Sequence, residues 1–177
     1  NYTVETCDVF SSKWGDSMEK TIEVYPQTSK EDETQCLGAF PDPFAWNTFY
    51  PENINRLFHF EKNRLTEITD FFTYTSGKAG GYIYKLQSAC LDAEESHGFT
   101  VVRSYYLSVG EGTSSTTEIN LSNLSGEERD ALGARLAEGD ITLTVELTSA
   151  TCDLRMNAGR EENQGEVDYM RTFTSKP

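Results

Sequence analysis

The sequence predicts a mainly β protein, an antiparallel barrel or sandwich with one short helix near residues 126–138. Short runs of alternating polar and apolar side chains recur along the chain, as in strands that bury one face. Turn-forming residues separate these runs, and a single segment carries the start and stop signals of a helix. An α/β fold requires repeated alternation of strands and helices, which the sequence does not show.

The length and composition predict one domain. The chain has 177 residues, within the roughly 100 to 200 residues that are typical of a domain. Apolar residues make up 37% of the chain and aromatic residues 12%, which suffices for a packed interior. We therefore expect residues 1–177 to form a single β-rich domain.

The clearest strand covers residues 140–148, where every second side chain is apolar. Its inward side chains are Ile141, Leu143, Val145 and Leu147. Further strands are predicted at 19–25, at 82–89, at 99–109, in a hairpin at 56–75 and in a last hairpin that pairs 152–156 with 166–173. The polar segments 27–36 and 111–118 are predicted to be loops.

The predicted helix has recognisable ends. Ser125 is placed as the N-cap, and Glu128 three residues later completes a capping box. Leu132 and Leu136 lie one turn apart on the same face, and Gly139 stops the helix.

The chain is strongly acidic, with 29 acidic and 15 basic residues and a net charge of -14. This charge repels phosphate groups, so we expect neither nucleic acid nor an anionic membrane surface as a partner. A basic or neutral protein partner is compatible with it. No apolar run approaches the roughly 18 to 20 residues that cross a bilayer, so no membrane span is predicted.

Four cysteines are far apart in the sequence and form no Cys-x-x-Cys pair. Disulfides among Cys7, Cys36, Cys90 and Cys152 are one interpretation, which requires an oxidising compartment. The other interpretation is isolated, buried thiols.

The sequence contains no recognisable catalytic motif: no Gly-x-Ser-x-Gly, no P-loop and no His-Glu-x-x-His. His59 and His97 are the only histidines, so a three-histidine metal centre is excluded and no metal is predicted. Whether the protein is an enzyme stays open at this point.

An aromatic-rich segment with three prolines spans residues 40–51. Its prolines exclude a regular helix or a central strand. It can cover a pocket as a lid or close one end of the core.

Residues 81–86, Gly-Tyr-Ile-Tyr-Lys-Leu, precede Val-Arg-Ser-Tyr-Tyr-Leu at 102–107, the capped helix and Thr-Cys-Asp-Leu-Arg-Met at 151–156. This order resembles the T-type phycobiliprotein chromophore lyases over roughly residues 55–168. Those proteins are calycin-like barrels that hold a bilin and deliver it to a phycobiliprotein cysteine. Gly81 and Ile83 stand where that family has proline and arginine.

The resemblance implies a calycin-like barrel, a bilin ligand, a phycobiliprotein partner and a plastid location. The residues that it places at the ligand are Glu61, Tyr82, Lys85, Tyr106 and Cys152.

Two functions follow from the sequence. The first is a small-ligand-binding barrel, with a bilin or another tetrapyrrole as its ligand. The alternative is a non-enzymatic acidic protein-interaction module, either extracellular or part of a larger assembly.

Overall fold

The computed structural model describes residues 4–5, 10, 12–44, 53–110, 113–160 and 166–176. A short two-stranded ladder pairs β1 (Val4–Glu5) with β2 (Lys13–Trp14). The main sheet contains β3 (Ser29–Asp32), β4 (Gln35–Pro41), β5 (Asn53–Glu61), β6 (Arg64–Tyr74), β7 (Thr100–Gly110), β8 (Thr113–Glu118), β9 (Ile141–Thr148), β10 (Cys152–Gly159) and β11 (Val167–Ser175).

The nine strands of the main sheet lie in the order β3-β4-β5-β6-β11-β10-β9-β7-β8, and all neighbours are antiparallel. The prediction of a mainly β, antiparallel fold is confirmed. The sheet does not close into the expected barrel, because β3 and β8 are edges that do not pair with each other. Helices pack on one face of this open sheet, and the other face is uncovered by any described element.

The described residues contain three α-helices instead of the single one predicted: α1 (Met18–Val24), α2 (Gly80–Ser96) and α3 (Gly126–Glu138). The predicted helix is confirmed as α3. Ser125 and Glu128 form its capping box, and Gly139 ends it with a φ of 85°. Hydrogen bonds from Ser125 stabilise the charged form of the Glu128 carboxylate and so lower its pKa.

The predicted strands at 19–25 and 82–89 are wrong, because both segments are helical. Ser17 caps α1 by accepting a hydrogen bond from the Lys20 amide. Helix α2 buries Tyr82, Ile83, Leu86, Cys90 and Ala93, whose spacing of three to four residues is that of one helix face.

The predicted hairpin at 56–75 is confirmed as β5 and β6. Lys62 and Asn63 form its turn with φ values of 51° and 59°, the left-handed pair that tight hairpins favour. The Asn63 side chain also accepts a hydrogen bond from the Met18 amide at 3.0 Å. The hairpin turn therefore holds the start of α1.

Two predicted loops contain strands. The polar segment 27–36 includes β3 and the start of β4, and the segment 111–118 includes β8. Both β3 and β8 lie at the sheet edges, where side chains are solvated and the alternation of polar and apolar residues disappears.

The core lies between the covered face of the sheet and the helices. Strand β9 contributes the four side chains predicted to point inward, each at most 2% exposed. Charged side chains are buried among the apolar ones: Asp42, Arg56, Asp70, Asp92 and Arg171. Such side chains need partners inside the protein, because burying an isolated charge is very unfavourable.

Among the described residues, no helix combines the length and the apolar character required to cross a membrane.

Candidate functional site

A cavity of about 210 Å³ lies between α2 and the strands β6, β10 and β11. The helical wall consists of Gly81, Tyr84, Lys85, Ser88 and Ala89. These residues recur at every third or fourth position, so they share a flank of α2 next to its buried face, where Tyr84 is 59% exposed.

The aromatic part of the strand wall comes from alternate residues, which point to the same side of a sheet. Strand β6 contributes Phe72 and Tyr74, and the neighbouring β11 contributes Tyr169 and Arg171. The rings of Phe72 and Tyr169 are stacked with centroids 5.1 Å apart and planes 7° apart. The cavity therefore has an aromatic wall that suits an apolar or aromatic ligand.

The first turn of α2 is fastened to the sheet beside this wall. The hydroxyl of Tyr169 donates a hydrogen bond to the buried carbonyl of Tyr82 at 2.7 Å. The ring of Tyr82 also packs edge-on against Tyr74, with centroids 6.0 Å apart. These contacts fix the distance between the helix and the sheet, and so keep the cavity open.

Two buried charged groups among the described residues line the cavity, Asp42 and Arg171, and Arg171 is the less exposed of them, with 3% of its surface exposed. Its guanidinium lies between the rings of Phe44 and Phe72, 5.1 and 5.3 Å from their centroids. Its Nη2 is 2.8 Å from Oδ1 of Asp42, an ionic contact. The geometry of that contact is not that of a hydrogen bond, and neither Nε nor Nη2 makes one within the described part of the chain.

Lys85 adds a second cation. Its Nζ lies 5.4 Å from the ring centroid of Phe72 and 5.2 Å from that of Tyr74. The charged side chains that line the cavity are thus two cations, Lys85 and Arg171, and one carboxylate, Asp42. This local excess of positive charge contrasts with the net charge of -14 for the whole chain.

The structure separates the five residues predicted to contact a ligand. Lys85 lines the cavity, and Tyr82 packs beside it. Tyr106 is half-buried on β7. Glu61 is exposed at the turn of the β5–β6 hairpin, and Cys152 is fully buried at the start of β10.

Glu61 and Cys152 lie at the end of the sheet away from α2's first turn. Cys152 precedes the cavity-lining Met156 by four strand residues, a distance of roughly 13 Å at about 3.3 Å per residue. Tyr82 and Lys85 are therefore the only two of these five residues that the structure brings together at the cavity.

No disulfide joins the described cysteines to one another, and Cys36, Cys90 and Cys152 are all buried. Cys7, the fourth cysteine of the predicted disulfide set, lies outside the described residues. Burial raises the pKa of the Cys36 thiol to about 11. Burial and the nearby Glu94 raise the pKa of Cys90 to about 12, although Arg171 opposes this shift. Both thiols are protonated at neutral pH and are poor nucleophiles.

Sequence reasoning missed Arg171, Asp42 and Phe72. A signal for Arg171 exists, because it shares the alternation of the inward-facing Tyr169 and Phe173 on β11. A charged residue in phase with buried aromatic residues indicates a paired internal charge or a ligand contact. Asp42 and Phe44 belong to the predicted aromatic-rich segment, of which residues 45–51 lie outside the described residues.

Two wider depressions, of about 570 and 690 Å³, lie on the uncovered face of the sheet. They are more open than the cavity between α2 and the sheet, and none of the described buried charged side chains lines either of them. We regard the smaller cavity beneath α2 as the better ligand site, because it combines enclosure with Arg171. The described residues contain no group of His, Cys, Asp and Glu side chains that could hold a metal ion.

Comparison with known proteins found no matching family model, no similar curated protein and no similar solved structure.

Proposed function

We propose that this protein binds a small organic ligand in the cavity between α2 and the sheet. The observation that carries the proposal is the combination of an aromatic wall with the buried guanidinium of Arg171. Ligand sites are typically concave and mostly apolar, with a few polar groups that orient the ligand.

The size of the cavity limits the ligand. A dry cavity of about 150 Å³ is large enough for benzene, and drug-sized ligands occupy pockets of roughly 300 to 1,000 Å³. The cavity of about 210 Å³ therefore suits a molecule with a single ring or a short chain.

A bilin is the ligand class that the resemblance to the chromophore lyases implies. Its conjugated body and its propionate groups match the aromatic and cationic lining in chemical type. The cavity volume of about 210 Å³ admits part of such a molecule, for example one propionate-bearing ring. The relationship to calycin-like barrels and to a phycobiliprotein partner belongs to this proposal and depends on bilin binding.

Thermal unfolding with added ligands tests the proposal. The probes are a library of single-ring acids, amides and amines, together with biliverdin as the bilin. Ala89→Trp fills the cavity, whereas Leu91→Trp changes a side chain of α2 that is 37% exposed and does not line it. We expect a probe to raise the melting temperature of the wild type and of Leu91→Trp, but not of Ala89→Trp. Equal stabilisation of both variants would place binding elsewhere.

A second candidate function is protein binding through the uncovered sheet face. Phe71 and Met170 are cross-strand neighbours on this face and are 36% and 45% exposed. Adjacent exposed apolar side chains on an uncovered sheet are typical of an interaction surface. Selection of displayed peptides against the wild-type protein tests this candidate. The selected peptides should lose binding to the Met170→Lys variant, and peptides that bind both proteins equally would contradict it.

A further inference from the structure

We infer that the ligand of the cavity carries a carboxylate, which Arg171 binds through its Nε and Nη2 hydrogens. This inference rests on the proposed ligand-binding function and names the chemical class of the ligand.

The chain contains an internal reference for this geometry in Arg56. The Nε of Arg56 donates to Asp70 Oδ1 at 2.7 Å, and its Nη2 donates to Asp70 Oδ2 at 3.1 Å. This paired contact is the arrangement in which an arginine binds a carboxylate most strongly. Both side chains are buried, so the fold satisfies the donor edge of Arg56 completely within the protein.

Arg171 has nearly the same surroundings as Arg56. Asp70 is the cross-strand neighbour of Arg56 on one side and of Arg171 on the other. Each guanidinium lies between two aromatic rings: Phe10 and Phe40 for Arg56, Phe44 and Phe72 for Arg171. The two arginines are therefore equivalent in packing.

They differ in their hydrogen bonds. The donor edge that Arg56 presents to Asp70 consists of Nε and Nη2, and these are the two Arg171 atoms without a hydrogen bond among the described residues. Asp42 supplies an ionic contact to Nη2 at 2.8 Å but no paired hydrogen bonds. Both atoms are buried, so a ligand carboxylate reaches this edge by displacing the Asp42 side chain, and it then supplies the acceptors that these donors lack.

The charge of the lining selects an anion over a cation. The charged side chains of the lining are Lys85, Arg171 and Asp42, and the buried guanidinium of Arg171 favours a bound anion over a bound cation. The stacked rings of Phe72 and Tyr169 accommodate a flat apolar body next to it. The ligand class is therefore a small monocarboxylic acid with an aromatic or short apolar body.

Isothermal titration calorimetry with matched probes tests the inference. The probes are 3-phenylpropionate and its primary amide, which have nearly the same shape and differ in charge. We expect the acid to bind the wild type at least about tenfold more tightly than the amide. If both bind equally, the cavity binds ligands but the carboxylate inference is wrong. If neither binds, and no other probe stabilises the protein, the proposed function itself fails.

Two variants test the role of Arg171. Arg171→Lys retains the charge and loses the paired donor edge, so we expect the preference for the acid to fall by about tenfold. Arg155→Lys is the control, because Arg155 lies on the uncovered face and is exposed. Asp42→Asn removes the competing carboxylate and should tighten binding of the acid. An acid preference that is unchanged in Arg171→Lys would overturn the assignment, as would weaker acid binding in Asp42→Asn.

Discussion

Buried charges at the sheet centre distinguish this core from an ordinary apolar one. Arg56, Asp70 and Arg171 occupy adjacent positions on three neighbouring strands, each less than 5% exposed. Aromatic rings flank both guanidinium groups and exclude water from them. Coulomb interactions are strong in such an environment, and the loss of one partner leaves the other charge buried alone.

Asp70→Asn should therefore destabilise the protein strongly. We expect the free energy of unfolding to fall by about 3 to 5 kcal/mol, as is typical when one member of a buried ion pair is removed. Urea unfolding followed by circular dichroism measures this change. The matched control is Glu118→Gln, which removes an exposed ion pair with Arg103 and should change stability by less than about 1 kcal/mol. Similar losses of unfolding free energy in the two variants would show that the Arg56–Asp70 pair contributes little to stability.

The buried thiols predict a pH dependence at alkaline pH. In the unfolded chain the thiols ionise near the ordinary pKa of 9.0, whereas in the folded protein Cys36 stays protonated to about 11 and Cys90 to about 12. Between these values the unfolded chain binds fewer protons, so the free energy of unfolding falls as the pH rises.

Urea unfolding of the wild type and of the double variant Cys36→Ala, Cys90→Ala measures this effect between about pH 7.5 and 10.5. The wild type should be the more stable protein below about pH 8, since the alanines leave cavities. Its advantage should shrink above about pH 9, where its thiols begin to oppose folding. A constant difference across the whole range would contradict the burial of these two thiols.

Among single residues, the buried apolar positions could be predicted and the buried charges could not. Ile141, Leu143, Val145 and Leu147 face inward as their alternation indicates. Arg171 follows the same alternation, but a single strand does not reveal which residues of distant strands will lie beside it. Asp70 is 101 positions away in sequence and is its direct neighbour in the sheet.

At the scale of elements, the close packing of α2 against α3 determines where the cavity lies. Gly133 of α3 approaches the backbone of Ala79, just before α2, so closely that an added Cβ would overlap the Ala79 carbonyl. Gly80 similarly faces the Asp130 carboxylate of α3. These glycines set the separation of the two helices, and α2 in turn forms one wall of the cavity.

Gly133→Ala should destabilise the protein by about 1 to 3 kcal/mol, because the backbone of one helix must move to admit the new methyl group. Gly126→Ala is the matched control in the same helix, since its added Cβ meets nothing within 4 Å. That control should be neutral or more stable by up to about 1 kcal/mol. Chemical unfolding of both variants measures the difference, and equal stabilities would contradict the close helix contact.

The elements with strong local signals were predictable, and those that depend on distant packing were not. Helix α3 has a capping box and a left-handed glycine stop, both of which act within a few residues. Helix α2 lacks a side-chain N-cap, and its aromatic residues at 82 and 84 also suit a strand. Its helical form is stabilised by contacts with β7, α3 and Tyr169, which no local pattern contains.

At the scale of the whole molecule, the strong negative net charge contrasts with the two cations that line the cavity. A net charge of -14 makes the compact state repel itself, and salt screens that repulsion. The cavity collects two of the cations next to α2 and so offers an anion a site within an otherwise acidic protein.

Raising the concentration of NaCl from about 10 to 500 mM should therefore raise the melting temperature. Differential scanning calorimetry measures the shift. Choline chloride at equal ionic strength is the control, because screening does not depend on the identity of a monovalent cation. A melting temperature that falls with salt would show that attractive charge pairs outweigh the net repulsion.

The topology of the sheet was the least predictable property of the whole molecule. Alternating runs identified most of the strands, but the pairing of β6 with β11, and the open edges at β3 and β8, depend on the complete chain. An alternating pattern is compatible with a barrel, a sandwich or an open sheet covered by helices. Helix α2 forms one wall of the cavity and so determines its position, and this segment was wrongly predicted to be a strand.

A crystal structure of the protein with 3-phenylpropionate is the most direct measurement of the central claim. The predicted result is a phenyl ring between α2 and the stacked Phe72 and Tyr169, with both carboxylate oxygens within about 3 Å of Arg171 Nε and Nη2. Ligand density on the uncovered sheet face, together with an empty cavity beneath α2, would contradict it.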